Sequence, residues 1–435
     1  MRPTPLAVFL VGAGLLLALP PSLGFPHLAF LLAGFWAVFA PLLVLDALLA
    51  PKRGGLSWRL ETPEVLHVGV PHKVALVARL PGADARGFEA RLDTSGVLSP
   101  PPTRRGEPGP EGTRVTWELF ASRRGAVRLE TLWMRFQSPL GLWQSWVSQP
   151  LGREATVLPD VPRVKAAALR FFSERDFRTG LKTERYLGDG SEFDSLKEFV
   201  RGDDKRAIDW KSSARHRRLL ARHHRAERNH RVILTLDTGR LMSEPLGALT
   251  RLDHAIHGAL LLGHACLRAG DQVGLFTFDA RARMAHPPAG GIGELHALIA
   301  AAARVQYSHE ESNFTLGLTQ LGQTLTRRSL IVLLTEFADT VSATLMMENV
   351  SRLVRRHVVV FVTLRDPGLD RATRQAPDTL DALSAAVVTR GLRRERDRVH
   401  LELRRLGVRA LDVTPDHVAP ELISEYLEVR RRELV

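Results

Sequence analysis

The chain has 435 residues, 45% of them hydrophobic, with 60 Lys and Arg against 47 Asp and Glu. That length exceeds one ordinary core and predicts two or three domains, while the lone Cys266 excludes an internal disulfide framework and favours a reducing compartment. The net charge of +13 admits nucleic acid, an anionic membrane face or an acidic protein as partner, or only an arginine-rich surface, since the basic residues are scattered along the whole chain.

No Asp, Glu, Lys or Arg occurs from Pro3 to Leu45, where two apolar runs, Leu6 to Leu19 and Leu28 to Leu45, are split by "PPSLGFPH". A span needs roughly 20 apolar residues, with about 17 as a practical minimum. The second run meets this, and the first does so if it extends into Ser22–Gly24. A hairpin of two spanning helices over residues 1–50 is therefore expected. Arg2 lies before it, Lys52 and Arg53 follow it, and the turn carries neither residue type, so both ends are expected in the cytoplasm. Arg2 with Leu6–Leu19 also has the form of a signal peptide, yet the second run would still require a membrane.

Residues 56–160 read as short strands. "HKVALVARL" (His72–Leu80), "TRVTWELF" (Thr113–Phe120), "GAVRLETLWMRF" (Gly125–Phe136) and "EATVLP" (Glu154–Pro159) alternate or carry β-branched runs, with Pro and Gly clusters between them. A β-sandwich of roughly 100 residues is expected, serving structure or binding. From Val232 the pattern changes. "VILTLD" (Val232–Asp237), "DQVGLFTFD" (Asp271–Asp279), "RSLIVLLTEF" (Arg328–Phe337), "RHVVVFVTLRDP" (Arg356–Pro367) and "GVRALDVTP" (Gly407–Pro415) read as strands. Helical stretches such as Thr250–Arg268, with Leu252, Ile256, Ala259 and Leu260 on one face, Gly293–Val305 and Pro420–Leu434 lie between or after them. This alternation predicts a doubly wound, mostly parallel α/β domain over 232–435, with its ligand edge at the carboxyl ends of the strands.

Between the two lies a segment, 161–231, containing "GSEFDSLKEFVRGDDKRAIDWKSSARHRRLLAR". Gly190, Glu192, Phe193, Leu196, Gly202, Asp203, Arg206, Ile208, Trp210, Ser213, Ala214, Arg215 and Leu219 fall in order on a pattern that resembles the signature of the bacterial domain-of-unknown-function family fifty-eight. Lys197 and Phe199 stand where Arg and Tyr are usual in it. The layout resembles that family as well: membrane hairpin, β-rich module ending in "SPLGLW" (Ser138–Trp143), signature, and a von Willebrand factor A-like domain. The resemblance implies no established enzymatic activity. It implies a MoxR-type AAA+ ATPase and a transglutaminase-like membrane protein as partners; with the flanking charges, the expected location is the inner membrane of a bacterium, the soluble domains facing the cytoplasm. An ion-pair network of Arg206, Asp209 and Arg215 shielded by Trp210 is expected to clasp the segment onto the domain that follows, the alternative being a partner surface. The basic run "HRRLLARHHRAER" (His216–Arg228) is expected to lead as a strand and turn into Val232.

A-like domains often hold Mg²⁺ on an Asp-x-Ser-x-Ser turn, with a Thr and an Asp from two further loops. By this resemblance the matching positions are Asp237, Ser312 in place of Thr, and Glu336 in place of Asp. Gly239 and Leu241 replace the two turn serines, and Arg240 adds a cation to the turn. No cofactor is expected, or Mg²⁺ weakly at most. Elsewhere, "HHRAERNH" (His223–His230) has no metal-ligand spacing, "RGDD" (Arg201–Asp204) carries no adhesion meaning in the cytoplasm, and "DTLDALSAAVVTRG" has no His or oxyanion partner for hydrolysis. Nucleic-acid binding would account for the charge, but no helix-turn-helix, zinc or stacking-aromatic signature accompanies it. The expected function is thus a non-catalytic adaptor or scaffold. The alternatives are a metal-dependent receptor or enzyme at the strand ends around Asp237, and a basic nucleic-acid-binding protein.

Overall fold

The N-terminal apolar stretch forms helices because nothing in it competes for the backbone and its start is capped. The Thr4 hydroxyl accepts from the Ala7 amide, and Pro5 takes the first helical position, where a missing N–H costs nothing. The structure, a computed structural model, describes residues 1–23, 29–50, 56–79, 88–99, 101–109, 112–160, 162, 166, 187–200, 208–225, 230–337, 340–369 and 379–432. They divide into two compact units, Met1–Asp160 and Val161–Val435.

In the first unit, α1 (Pro5–Leu16) is followed by the single turn α2 (Leu19–Ser22) and by α3 (Ala29–Leu49). With 21 residues and a mean hydropathy of 2.1, α3 is long and apolar enough to cross a membrane. The first apolar run is not. It was expected as a span, but its helix stops after 12 residues at Leu16, and Pro20 and Pro21 then confine the chain to one short turn. Ala7, Leu10 and Val11 of α1 pack with Phe35, Trp36 and Phe39 of α3.

The rest of this unit is β-structure, in the strands β1 (Arg2–Pro3), β2 (Ser57–Glu61), β3 (Leu66–His67), β4 (Pro71–Arg79), β5 (Glu89–Gly96), β6 (Arg104–Arg105), β7 (Glu107–Gly109), β8 (Gly112–Phe120), β9 (Gly125–Gln137) and β10 (Trp143–Leu158). One sheet runs β1-β10-β9-β5-β6, with β3 parallel to β10, and the other runs β2-β4-β8-β7. Alternate residues point inward, as the two-residue period of a strand requires: Val115, Trp117 and Leu119 of β8, and Leu132, Met134 and Phe136 of β9, are buried. Asp46, at the end of α3, is fully buried. Its carboxylate accepts from the Ser138 hydroxyl and from the amides of Leu140 (2.7 Å) and Leu142 (3.0 Å), so the acid closing the apolar helix also caps the "SPLGLW" turn.

In the second unit, β11 (Leu187–Glu198) and β12 (Leu220–Arg225) pair antiparallel, with the short helix α4 (Trp210–His216) between them in the chain. The main sheet follows, in strands β13 (Arg231–Asp237), β16 (Gln272–Phe278), β17 (Ala282–Gly290), β18 (Leu330–Leu334), β19 (Val358–Leu364) and β20 (Arg409–Val413); β14 (Pro245–Leu246) and β15 (Leu249–Thr250) form a separate two-residue ladder. The order is β17-β16-β13-β18-β19-β20. All neighbours run parallel except β17, which pairs antiparallel with β16 at the edge.

Helices α5 (Arg251–Arg268), α6 (Glu294–Ala303), α7 (Phe314–Thr324), α8 (Thr340–Val354), α9 (Leu380–Arg405) and α10 (Val418–Arg431) cover the sheet. Successive strand residues alternate between two cores. Val232, Leu234 and Leu236 pack with residues of α5, α6 and α10, whereas Ile233, Ile331 and Leu333 pack with residues of α7, α8 and α9. Both faces are therefore buried, and this is why the strands read as continuous apolar runs.

Candidate functional site

Parallel pairing with Leu236 opposite Leu334 brings the ends of β13 and β18 to one edge, and with them Asp237, Thr335 and Glu336. Ser312 arrives from the loop before α7, where Asn313 caps the helix by accepting from the Leu316 amide. The Asp237 carboxylate is buried and fully engaged. Oδ1 accepts from the Ser312 hydroxyl and from the Gly239 amide at 2.9 Å, and Oδ2 accepts from the Thr335 hydroxyl at 2.6 Å. Gly239 makes this possible: a Cβ there would collide with Ser312 Oγ, so the glycine in place of serine admits the Ser312 hydroxyl. Burial pushes the Asp237 carboxyl up to about 6, against the hydrogen bonds from Ser312, Thr335 and Gly239.

Glu336 is held by two arginines that the sequence did not single out. Arg251, the first residue of α5, donates Nη1 to Oε2 at 3.1 Å and to the Leu364 carbonyl at 2.9 Å. Arg396, from the middle of α9, places Nη1 3.0 Å from Oε1 and Nη2 3.1 Å from Oε2. Its Nε continues to Asp412 Oδ1 at 3.1 Å, and Arg365 Nε takes Asp412 Oδ2 at 2.9 Å. Burial pushes the Glu336 carboxyl up against the pull of Arg396 and Arg251. At Asp412 burial acts the same way, but the Arg396 and Arg365 charges outweigh it and hold that carboxyl below its usual range. The edge is a lattice of three guanidiniums and two carboxylates beside a hydrogen-bonded Asp237.

The Mg²⁺ implied by the sequence resemblance does not fit these residues. Both Glu336 oxygens face guanidiniums, and a divalent cation there would lie against Arg251 and Arg396. The cation expected to oppose metal, Arg240, is not the one that matters. Its side chain is half exposed and lies 3.8 Å from Glu311, because the turn directs it outward. Among the described residues no three His, Cys, Asp or Glu side chains are placed to hold a metal ion.

The signature segment forms a separate assembly. Asp209 caps α4, accepting from the Ser212 amide at 2.9 Å. Arg206, with Gly202 and Asp203, lies outside the described residues. The expected shield is corrected. Trp210 occupies the first position of α4, where its side chain leaves the hairpin, and is 69% exposed. The buried residue is Ser213, whose hydroxyl accepts from the Leu220 amide at 2.8 Å and donates to the Leu220 carbonyl at 3.3 Å. Ala214 and Arg215 are exposed on α4. After α4, Arg217 adopts a left-handed φ of 53° that turns the chain into β12. Ile208 bridges Ala221 and the Phe199 amide donates to the Leu219 carbonyl, while Glu192, Phe193 and Leu196 of β11 lie opposite Arg225, His224 and Arg222 of β12. Gly190 also lies on β11.

Residues 195–376 match the family described as "Protein of unknown function DUF58", which supports that family for this chain. No curated protein matches. Among solved structures, the conserved hypothetical protein BatB from Bacteroides thetaiotaomicron is similar at 14% identity, over 31% of this chain and 67% of that one, with a TM-score of 0.26. The proximal thread matrix protein 1 from the mussel byssus is similar at 8% identity over 45% of each chain (TM-score 0.28), so this chain spans under half of its length. An uncharacterized membrane spanning protein from Vibrio fischeri is similar at 16% identity, over 47% of this chain and all of that one, with a TM-score of 0.18.

Proposed function

We propose that the chain is a membrane-anchored, non-catalytic adaptor whose von Willebrand factor A-like α/β unit works with a MoxR-type AAA+ ATPase, and with a transglutaminase-like membrane protein, in assembling or maintaining envelope complexes. The observation that carries this reading is the state of the strand-end acids. Asp237 is engaged by Ser312, Thr335 and the Gly239 amide, and Glu336 by Arg251 and Arg396, so the chain's own groups already satisfy the acids that an enzyme or a cation-dependent receptor would use. Anchoring rests on α3, and a cytoplasmic face for the following domains on Lys52 and Arg53 just after it.

A surface for the ATPase is offered by the signature hairpin, which leaves Trp210, Val200 and Leu219 exposed. An exposed tryptophan suits an interface anchor. The test is affinity purification of the tagged full chain from detergent-solubilised membranes, with identification of what accompanies it. The reading predicts an AAA+ ATPase that is lost with Trp210→Ala. Recovery of the chain alone, or from the soluble fraction, would overturn it.

A further inference from the structure

A cavity of about 710 Å³ opens beside the carboxyl ends of β13 and β16, between the antiparallel edge strand β17 and helix α6. Its walls carry three arginines. Arg283 lies on β17, Arg281 in the turn just before that strand, and Arg304 closes the carboxyl end of α6. None of the three guanidiniums has a hydrogen-bond or ion-pair partner among the described residues. The turn that presents Arg281 is fixed: the Asp279 amide donates to the Arg281 carbonyl at 2.9 Å, and the Arg281 amide donates to Asp279 Oδ1 at 2.8 Å.

The alanines of α6 that line the cavity leave room, and Thr238 and Thr277 also line it. Asp279 and Glu310 also line it, so the three cations exceed the two acids by one. Unpartnered guanidiniums lining a concave space of this size fit a ligand that brings its own negative groups, because the planar guanidinium fork matches phosphate and carboxylate bidentately.

We propose that this cavity binds a compact, multiply anionic small molecule carrying two or three phosphate or carboxylate groups, held by Arg281, Arg283 and Arg304. The site is distinct from the Asp237–Glu336 edge and does not depend on the adaptor reading.

Calorimetry on the full chain in detergent, with pyrophosphate, ADP and citrate as separate probes, tests it and tells phosphate from carboxylate. One-to-one saturable binding of at least one probe is expected, weakened about tenfold or more in Arg281→Ala/Arg283→Ala. Arg304→Ala, which lies off the strand, is expected to weaken binding severalfold and serves where the double variant fails to fold. Arg327→Ala, an exposed arginine outside the cavity, controls for general charge loss and is expected to leave binding within twofold. The proposal is overturned if no probe saturates up to about 1 mM, if the cavity variants bind as the wild type does, or if Arg327→Ala weakens binding as much as they do.

Discussion

Arg396 holds both oxygens of Glu336 in a bidentate fork, at 3.0 and 3.1 Å, across 60 residues of chain. Since Arg396 also reaches Asp412 and the Leu364 carbonyl, it ties α9 to the ends of β18, β19 and β20. Removing one member of a buried ion pair leaves its partner uncompensated. Arg396→Met is therefore expected to destabilise the fold by about 3 kcal/mol, the lower end for such pairs because Arg251 remains on Glu336. Urea unfolding measures this, and the double variant Glu336→Gln/Arg396→Met should lose less than the sum of the singles. Additive losses would mean that the fork contributes nothing beyond its separate parts.

The titration of Asp237 predicts a pH dependence. Its folded carboxyl titrates at about 6, above the unfolded value, so the folded state holds that proton more tightly. This contribution to stability is full below about pH 4 and is lost as pH rises through about 6. His400 acts oppositely in the same window: burial lowers its imidazole to about 4, so its contribution is full above its ordinary value and is lost as pH falls through about 4. The wild-type slope mixes these with the raised Glu336 and lowered Asp412 carboxyls, whereas its difference from Asp237→Asn isolates the Asp237 carboxyl. The wild type should gain about 2–3 kcal/mol relative to the variant between pH 7 and 4. A pH-independent difference would mean that Asp237 is not shifted.

In the signature hairpin, stability and recognition fall on different residues. Trp210→Ala should change stability by no more than about 0.5 kcal/mol, as for an ordinary surface substitution. Ser213→Ala should cost about 1–2 kcal/mol, since it strips a buried hydroxyl from Leu220. Thermal melts of the two variants decide the matter, and a larger loss for Trp210→Ala would restore a buried role for the indole.

The flanking charges predict that a reporter fused after Val435 reads as cytoplasmic. Periplasmic activity would exclude the hairpin with both ends in the cytoplasm, and a soluble product cleaved near residue 20 would exclude the anchor. Because α1 is too short to span alone, a second reporter fused before Met1 asks whether α1 and α2 together cross the membrane beside α3: it should read as cytoplasmic if they do and as periplasmic if α3 spans alone.

The buried strands of the α/β unit were legible because burial on both faces leaves an uninterrupted apolar run, as in "VILTLD" and "RHVVVFVTL", and α5 was legible from its apolar face. Edge strand β17 was not, because "ARMAHPPAG" carries two prolines that only an unpaired edge tolerates. Asp237, Ser312 and Glu336 were singled out only by the resemblance to A-like domains, and Thr335 stood beside Glu336, one step past the strand end. Arg396 had no local signal. Its role depends on where a helix 60 residues later in the chain passes, and in a chain with 60 Lys and Arg nothing marks that one. Trp210 was misplaced because a tryptophan in a charged run suggests burial, whereas the cap formed by Asp209 fixes the helix start and sends the next side chain outward.

The central claim is that Arg251 and Arg396 supply the positive charge at the strand edge, so that the edge works without metal. Titration of Mg²⁺ and Mn²⁺ into the purified full chain, followed by calorimetry, tests it most directly. The account predicts no saturable heat for the wild type, and the same for Asp237→Ala. A saturable site of micromolar affinity, abolished by Asp237→Ala, would contradict it and make the unit a metal-dependent binding module.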